Sequence, residues 1–294
     1  MKKVLIILNP RAGKMKSKGG LFTIVDKMCA AGWNVSVQTT QKQGHATELA
    51  ADAKKSGFDL IVCCGGDGTL NEVIDGVMQS GSDIPLGYIP CGSTNDFAAS
   101  MGISMDITKA IDNIIVNDPV SLDIGNFNGR HFSYIASFGA FTAASYSAPQ
   151  SRKNALGHFA YILEGIKDIR SLKRYHMTVK TDDICEENDY IFGAVSNSTS
   201  VGGIVKLNSD LVDMKDGLFE LILIKYPKNP AQLTRILTGI LSSKFEKDVF
   251  TFTKTSRVEF DTEDEIHWTL DGEYEKGDNH IEVQNIHNAI FLKK

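Results

Sequence analysis

The chain has little of several things, and each shortage removes a class of function. Cys29, Cys63, Cys64, Cys91 and Cys185 are odd in number and show no CxxC spacing. That leaves no disulfide framework and no zinc ribbon, so we expect reduced thiols of a cytosolic protein acting mainly as small buried residues. No apolar run approaches the roughly 20 residues of a membrane-spanning helix. Met1-Lys2-Lys3, five apolar residues and then Asn9-Pro10 form a start too short for a secretion signal. Positive charge is also short: 31 Lys and Arg against 36 Asp and Glu give a net charge of −5 and a pI near 5.8. Nucleic acid is therefore not expected as the main partner, although phosphate chemistry at a small local site survives the argument. There is no internal repeat and no low-complexity segment. What is present, 294 residues with ordinary apolar and charged content, suffices for two globular domains with separate cores.

The first third alternates two periodicities. Val4 to Leu8 is a continuous apolar run ending at Asn9-Pro10, as a buried parallel strand would. Leu21, Ile24, Val25, Met28 and Cys29 follow at helical spacing, with Gly32 as a stop. Val35 and Val37 mark a second strand, Ala46 to Ala53 a helix, Leu60 to Cys64 a strand. Leu70, Val73, Ile74, Val77 and Met78 mark a further helix, Ile84 to Ile89 a strand, and Ile107 to Ile115 another helix. Such alternation predicts a parallel sheet flanked by helices. After Asp118-Pro119 the segments become short and β-rich, with turn signals at Asn128-Gly129, Lys215-Asp216-Gly217 and Asp271-Gly272. Two helices interrupt them, one over 156–172 and one starting at Asn229-Pro230. The expectation is a second, mainly antiparallel β domain.

Gly65-Gly66-Asp67-Gly68-Thr69-Leu70-Asn71-Glu72 stands between a predicted strand and a predicted helix. Its glycines would allow positive φ and an anion-binding nest, and the positive helix end would point at the same place. Thr69 and Glu72 have capping-box spacing. A carboxylate at Asp67 beside phosphates implies an intervening Mg²⁺. A bare strand-to-helix turn is the alternative. The element is no P-loop, since Gly13-Lys14 is followed by Met15, and no GxGxxG, since Asn71 replaces the third glycine. Asn9-Pro10-Arg11-Ala12-Gly13-Lys14 closes the first strand, where open α/β sheets bind ligands; standing alone it would read as a plain turn.

In order and spacing, Asn9-Pro10 with Gly13-Lys14, Gly44-His45-Ala46-Thr47, Gly65 to Asn71, and Pro90-Cys91-Gly92-Ser93-Thr94-Asn95-Asp96-Phe97-Ala98 resemble the diacylglycerol kinase catalytic family. The likeness is to its bacterial soluble lipid kinases, related to sphingosine and ceramide kinases. It continues through Leu122-Asp123-Ile124-Gly125, Leu156-Gly157, Ala160-Tyr161, Asp216-Gly217-Leu218 and Leu270-Asp271-Gly272-Glu273, nearly the whole chain. Ser93 departs from the family's usual Thr. The resemblance implies a Rossmann-like α/β domain (1–122, with 286–294 returning), a C-terminal antiparallel β-sandwich domain for the lipid (123–285), and an active-site cleft between them. It implies ATP contacts at Asn9, Pro10, Arg11, Ala12, Gly13, Lys14, Thr40, Gly65, Gly66, Asp67, Gly68, Thr69, Leu70, Asn71 and Ser93. Asp96 and Asp123 would join Asp67 in an Mg²⁺–ATP network. Asp213, Asp216 and the Leu218 carbonyl would hold a structural Mg²⁺.

Phosphoryl transfer needs a base for the acceptor hydroxyl. Asp271 is the candidate on the strength of the resemblance, with Glu273 in reserve; Asp271-Gly272 alone would read as a hairpin turn. The expected reaction is Mg²⁺-dependent transfer from ATP to diacylglycerol or a related lipid alcohol. A cytoplasmic enzyme in transient peripheral contact with a membrane follows, and a homodimer is compatible with it. The rivals are a kinase of a soluble substrate, as an NAD kinase is, and a nucleotide- or lipid-binding regulator without turnover. Leu233, Ile236, Leu237, Ile240 and Leu241 form a helical stripe read as core, Lys167, Arg170, Lys173 and Arg174 as a solvated face, and His45, His158 and His267 as structural or surface residues.

Overall fold

A computed structural model describes residues 1–12, 16–93, 95–139, 172–198, 200–201, 205–206 and 213–294. Gly13, Lys14, Thr94 and all but the last residue of the expected helix over 156–172, with His158, Lys167 and Arg170, lie outside the described residues. The chain divides into two compact units, Met1–Ile124 with Asn288–Lys294, and Gly125–His287.

The first unit is built on parallel strands. β1 (Lys3–Leu8) lies between β2 (Asn34–Thr39) and β3 (Leu60–Gly65), and β3 pairs with β4 (Leu86–Pro90). Every residue of β3 and β4 is buried, because helices cover both faces of a parallel sheet. Those helices are α1 (Lys16–Ala30), α2 (His45–Ala53), α3 (Asp67–Ser80), the short α4 (Asp96–Met101) and α5 (Ile107–Val116). Gly76 of α3 has no room for a side chain: a Cβ there would stand 2.3 Å from the Thr47 carbonyl of α2. The core gathers Val4, Ile6, Val62, Ile24, Met28, Ile111 and Ile114.

The second unit is antiparallel. It contains β5 (Val120–Phe127, shared with the first unit), β6 (Arg130–Phe132), β7 (Ile135–Gly139), β8 (Tyr175–Lys180), β9 (Cys185–Ser196), β10 (Ser200–Val201), β11 (Val205–Lys206) and β12 (Phe219–Lys225). After α6 (Pro230–Ser242) follow β13 (Phe250–Thr255), β14 (Arg257–Asp261), β15 (His267–Leu270), β16 (Glu273–Lys276) and β17 (His280–Lys293). Asn128 and Gly129 take φ of 46° and 94°, the paired positive values of a type I′ turn joining β5 to β6. β8 alternates buried and open residues as a half-covered strand must. Phe138 and Trp268, with ring centroids 4.8 Å apart, and Phe132 stacked on Phe219 anchor an aromatic core. Asn229 caps α6 by accepting from Gln232 N, with Pro230 opening the helix. In the expected stripe Leu233, Ile236 and Ile240 are buried while Leu241 is exposed.

β17 serves both units. Its start pairs with β14, and Leu292 and Lys293 pair in parallel with β4.

Candidate active site

Three loops of the first unit leave the same edge of its parallel sheet. Asn9 follows β1, its Nδ2 donates to Thr69 Oγ1 at 2.8 Å, and its Oδ1 accepts from Arg11 N at 2.9 Å. The first turn of α3 is thereby tied to the end of β1. Thr40 follows β2 and donates its N–H to the Leu8 carbonyl. Gly66 begins α3 without a side-chain cap, so the helix presents backbone N–H groups at the edge where open α/β sheets take anionic ligands. Ser93 is exposed, whereas Leu70 turns its side chain into the core.

The glycines work differently from expectation. Gly65, Gly66 and Gly68 have no positive φ; Gly66 is at −95°. They are small because the loops pack closely. A Cβ on Gly65 would strike the Thr69 side chain at 2.5 Å, and one on Gly92 would reach the Gly66 Cα at 2.6 Å. The expected capping box also fails. Glu72 turns from Thr69 to the start of α2, where its two oxygens accept from Gly44 N at 2.9 Å and Ala46 N at 3.1 Å. Thr-x-x-Glu spacing is blind to which helix the acid serves.

Asp67 is a structural fastener as well as a candidate ligand. Its oxygens accept from Asp96 N at 3.0 Å and Phe97 N at 3.2 Å, so the carboxylate caps α4. Asn95, at φ 54°, braces the same loop by exchanging hydrogen bonds with Gly92 N and O at 2.8 and 2.9 Å. Asn95 has no assigned role in the sequence pattern, where its signal is an Asn directly before a helix. Asp67 and Asp96 thus sit together at the start of α4, and oxygen donors of this kind suit Mg²⁺. Asp123 is buried and accepts from Asn288 N at 2.9 Å. Burial pushes the Cys63 thiol and the Tyr88 phenol far up, with Asp67 adding to both. Cys63 is accordingly inert.

In the second unit, Asp271 and Gly272 take φ of 50° and 88° in the turn from β15 to β16. The Asp271 side chain, 6% exposed, does not project into solvent. Oδ2 accepts from Ser133 N at 2.5 Å, and Oδ1 accepts from Tyr134 N and Ile135 N, both at 3.0 Å. Tyr134 Oη donates to the Asp271 carbonyl at 3.3 Å. Three convergent N–H groups bind a carboxylate in a fixed orientation. Glu273, the reserve candidate, is half-exposed and pairs with Arg130 at 2.8 Å.

The expected metal ligands at the entry to β12 have other company. Asp213 Oδ1 accepts from Lys215 N at 3.1 Å. Asp216 accepts from Leu218 N at 3.0 Å on one oxygen and from Lys254 Nζ at 3.0 Å on the other. A divalent cation bound to Asp216 would have to stand against that ammonium. No cluster of three His, Cys, Asp or Glu side chains suited to a metal occurs among the described residues. Glu220, beside this corner, is fully buried, and burial pushes its carboxyl up to about 7 against the pull of Lys254. Neither Glu220 nor Lys254 was expected from the sequence, although an acid inside Phe-Glu-Leu-Ile-Leu-Ile was the available signal.

Comparison with known proteins covers almost the whole chain. Residues 3–127 match the family model described as the diacylglycerol kinase catalytic domain, and residues 135–289 match the one described as the YegS C-terminal NAD kinase beta sandwich-like domain. The diacylglycerol kinase of Bacillus subtilis (strain 168) is 36% identical over 276 residues, 93% of this chain and 90% of that protein. That of Staphylococcus saprophyticus is 33% identical over 93% of this chain and 89% of its own. A diacylglycerol kinase crystal structure from Bacillus anthracis str. Sterne superposes with a TM-score of 0.73 at 23% identity, covering 99% of this chain and 96% of its own, and shares the fold. No helix among the described residues is long and apolar enough to cross a membrane.

Proposed function

The chain belongs to the diacylglycerol kinase family, and from that membership we propose that it transfers the γ-phosphoryl group of ATP to the hydroxyl of diacylglycerol or a related lipid alcohol. The observation that carries the reading is the turn at Gly65–Thr69. The start of α3, tied to the end of β1 through Asn9, aims the positive end of a helix at the place a polyphosphate would take.

Phosphoryl transfer proceeds through a loose transition state, so the protein's task is positioning and charge stabilisation rather than covalent chemistry. Asn9, Arg11 and Ala12 with the α3 start would orient the triphosphate, and Thr40 and Ser93 would flank the nucleotide. Mg²⁺ accompanying ATP would neutralise phosphate charge, with Asp67, Asp96 and Asp123 as the carboxylates that would hold it or its waters. Asp67 has a second task, holding the Asp96 loop in register through its bonds to α4. Asp271 would accept the proton of the attacking hydroxyl, its orientation fixed by the Ser133–Ile135 amides. A lipid acceptor also requires transient contact with a membrane surface.

The test is incubation with γ-labelled ATP and Mg²⁺, offering diacylglycerol in mixed micelles beside other lipid alcohols and soluble nucleotides such as NAD. Label in phosphatidic acid or another phospholipid supports the reading. Label confined to a soluble product, or nucleotide binding without transfer, overturns it.

A further inference from the structure

The entry to β12 carries an arrangement that the kinase reading does not use. Phe219 to Ile224 are all fully buried, and the second of them is Glu220. Neither carboxylate oxygen of Glu220 has a hydrogen bond of ordinary geometry. The charge facing it is Lys254, its registered partner across β13, whose Nζ stands 3.5 Å from Oε1. The same ammonium lies 3.0 Å from Asp216 Oδ2, and Asp216 Oδ1 is occupied by Leu218 N. One lysine therefore answers two carboxylates, one of them wholly buried. An ionised acid in such a place requires a positive partner, since an isolated buried charge is far costlier than a paired one.

Family resemblance assigns a structural Mg²⁺ to this corner through Asp213, Asp216 and the Leu218 carbonyl. Mg²⁺ demands oxygen at about 2.0–2.1 Å in near-octahedral geometry. Reaching Asp216 in that way would set two cations on one carboxylate and draw Lys254 from Glu220. We propose that the Lys254 ammonium is the resident cation of this corner, doing in this chain what the resemblance assigns to a structural Mg²⁺. The inference does not depend on the kinase reading.

The experiment is thermal unfolding of the nucleotide-free full chain, in EDTA and in millimolar MgCl2. The parent's Tm should be the same in both. Lys254→Arg, which keeps the charge, should behave like the parent. Lys254→Met leaves Glu220 and Asp216 without their cation and should lower the Tm in EDTA by on the order of 10 °C, with MgCl2 restoring part of the loss by mass action. If that variant does not fold, Glu220→Gln with Lys254→Met decides, because removing both charges should recover a folded chain indifferent to Mg²⁺. A saturable rise of the parent's Tm with MgCl2 that Asp216→Asn abolishes would overturn the proposal. So would a Lys254→Met variant as stable as the parent in EDTA.

Discussion

Asp271→Asn is the sharpest perturbation because the structure gives the carboxylate a mechanical task beside its proposed chemical one. Backbone N–H groups of Tyr134 and Ile135 converge on Oδ1 and that of Ser133 on Oδ2. An asparagine can keep its oxygen toward Tyr134 and Ile135 only by turning its amide toward Ser133 N, placing donor against donor. Losing one charge-assisted bond costs about 1.5–3 kcal/mol, and a buried donor left unsatisfied about 1–3 kcal/mol. The sum, roughly 2.5–6 kcal/mol, translates into a fall in Tm of roughly 5–24 °C for a unit of this size. Loss of a general base removes about 10²- to 10⁴-fold in rate, a similar energy. An activity loss alone therefore assigns nothing. Turnover has to be measured well below the variant's own Tm, at saturating ATP, beside titration with a non-hydrolysable ATP analogue. We expect the lower Tm, unchanged analogue affinity, and turnover below a hundredth of the parent's. A Tm within about 2 °C of the parent refutes the anchoring arithmetic. Turnover above about a tenth removes the base assignment and passes it to Glu273.

Gly76→Ala sets two effects against each other. Alanine gains about 1 kcal/mol of helix propensity, but its Cβ meets the Thr47 carbonyl at 2.3 Å and the Ala50 Cβ at 2.9 Å, and overpacking against backbone costs about 1–3 kcal/mol or more. We expect net destabilisation in urea unfolding, and a variant more stable than the parent would contradict the packing of α2 on α3. The pH response should run toward acid at two surface histidines. His176 is raised by its bonds to Asp189 and Glu187, beside Asp264 and Arg174, and His280 by its bond to Asp261. A raised histidine contributes stability that is full below about 6.5 and lost as pH rises through its folded value. Replacing both by glutamine should flatten the Tm difference between about pH 6 and pH 8, and an unchanged difference would remove them as its source.

The parallel strands were legible because burial on both faces leaves an unbroken apolar run, as in Val4–Leu8 and Leu60–Cys64. Asn128-Gly129 and Asn229-Pro230 were legible because their dihedral and capping demands are local. What escaped was non-local. Glu72 reaches back to Gly44 and Ala46, Asp67 reaches forward to Asp96 and Phe97, and Asp271 is gripped by amides at 133–135. Each is an acid whose neighbours in sequence suggested a ligand or a local cap. Each satisfies backbone N–H groups brought near only by the fold. Glu220 and Lys254 meet only because β12 and β13 pair in that register.

The path of β17 has a consequence for how the chain is made. The strand that completes the first unit's sheet beside β4 emerges only after Gly125–His287 has been synthesised. At about 5–20 residues per second, roughly 10–40 s pass between the making of β4 and that of its partner segment in β17. During that interval the outer edge of β4, Leu86–Pro90, has no partner strand and offers apolar, hydrogen-bonding backbone to any passing chain. The second unit waits for the same strand, since the start of β17 pairs with β14 and with β5. Both units thus close only as β17 emerges, and of the edges that it covers the one on β4, made in the chain's first third, stays open longest.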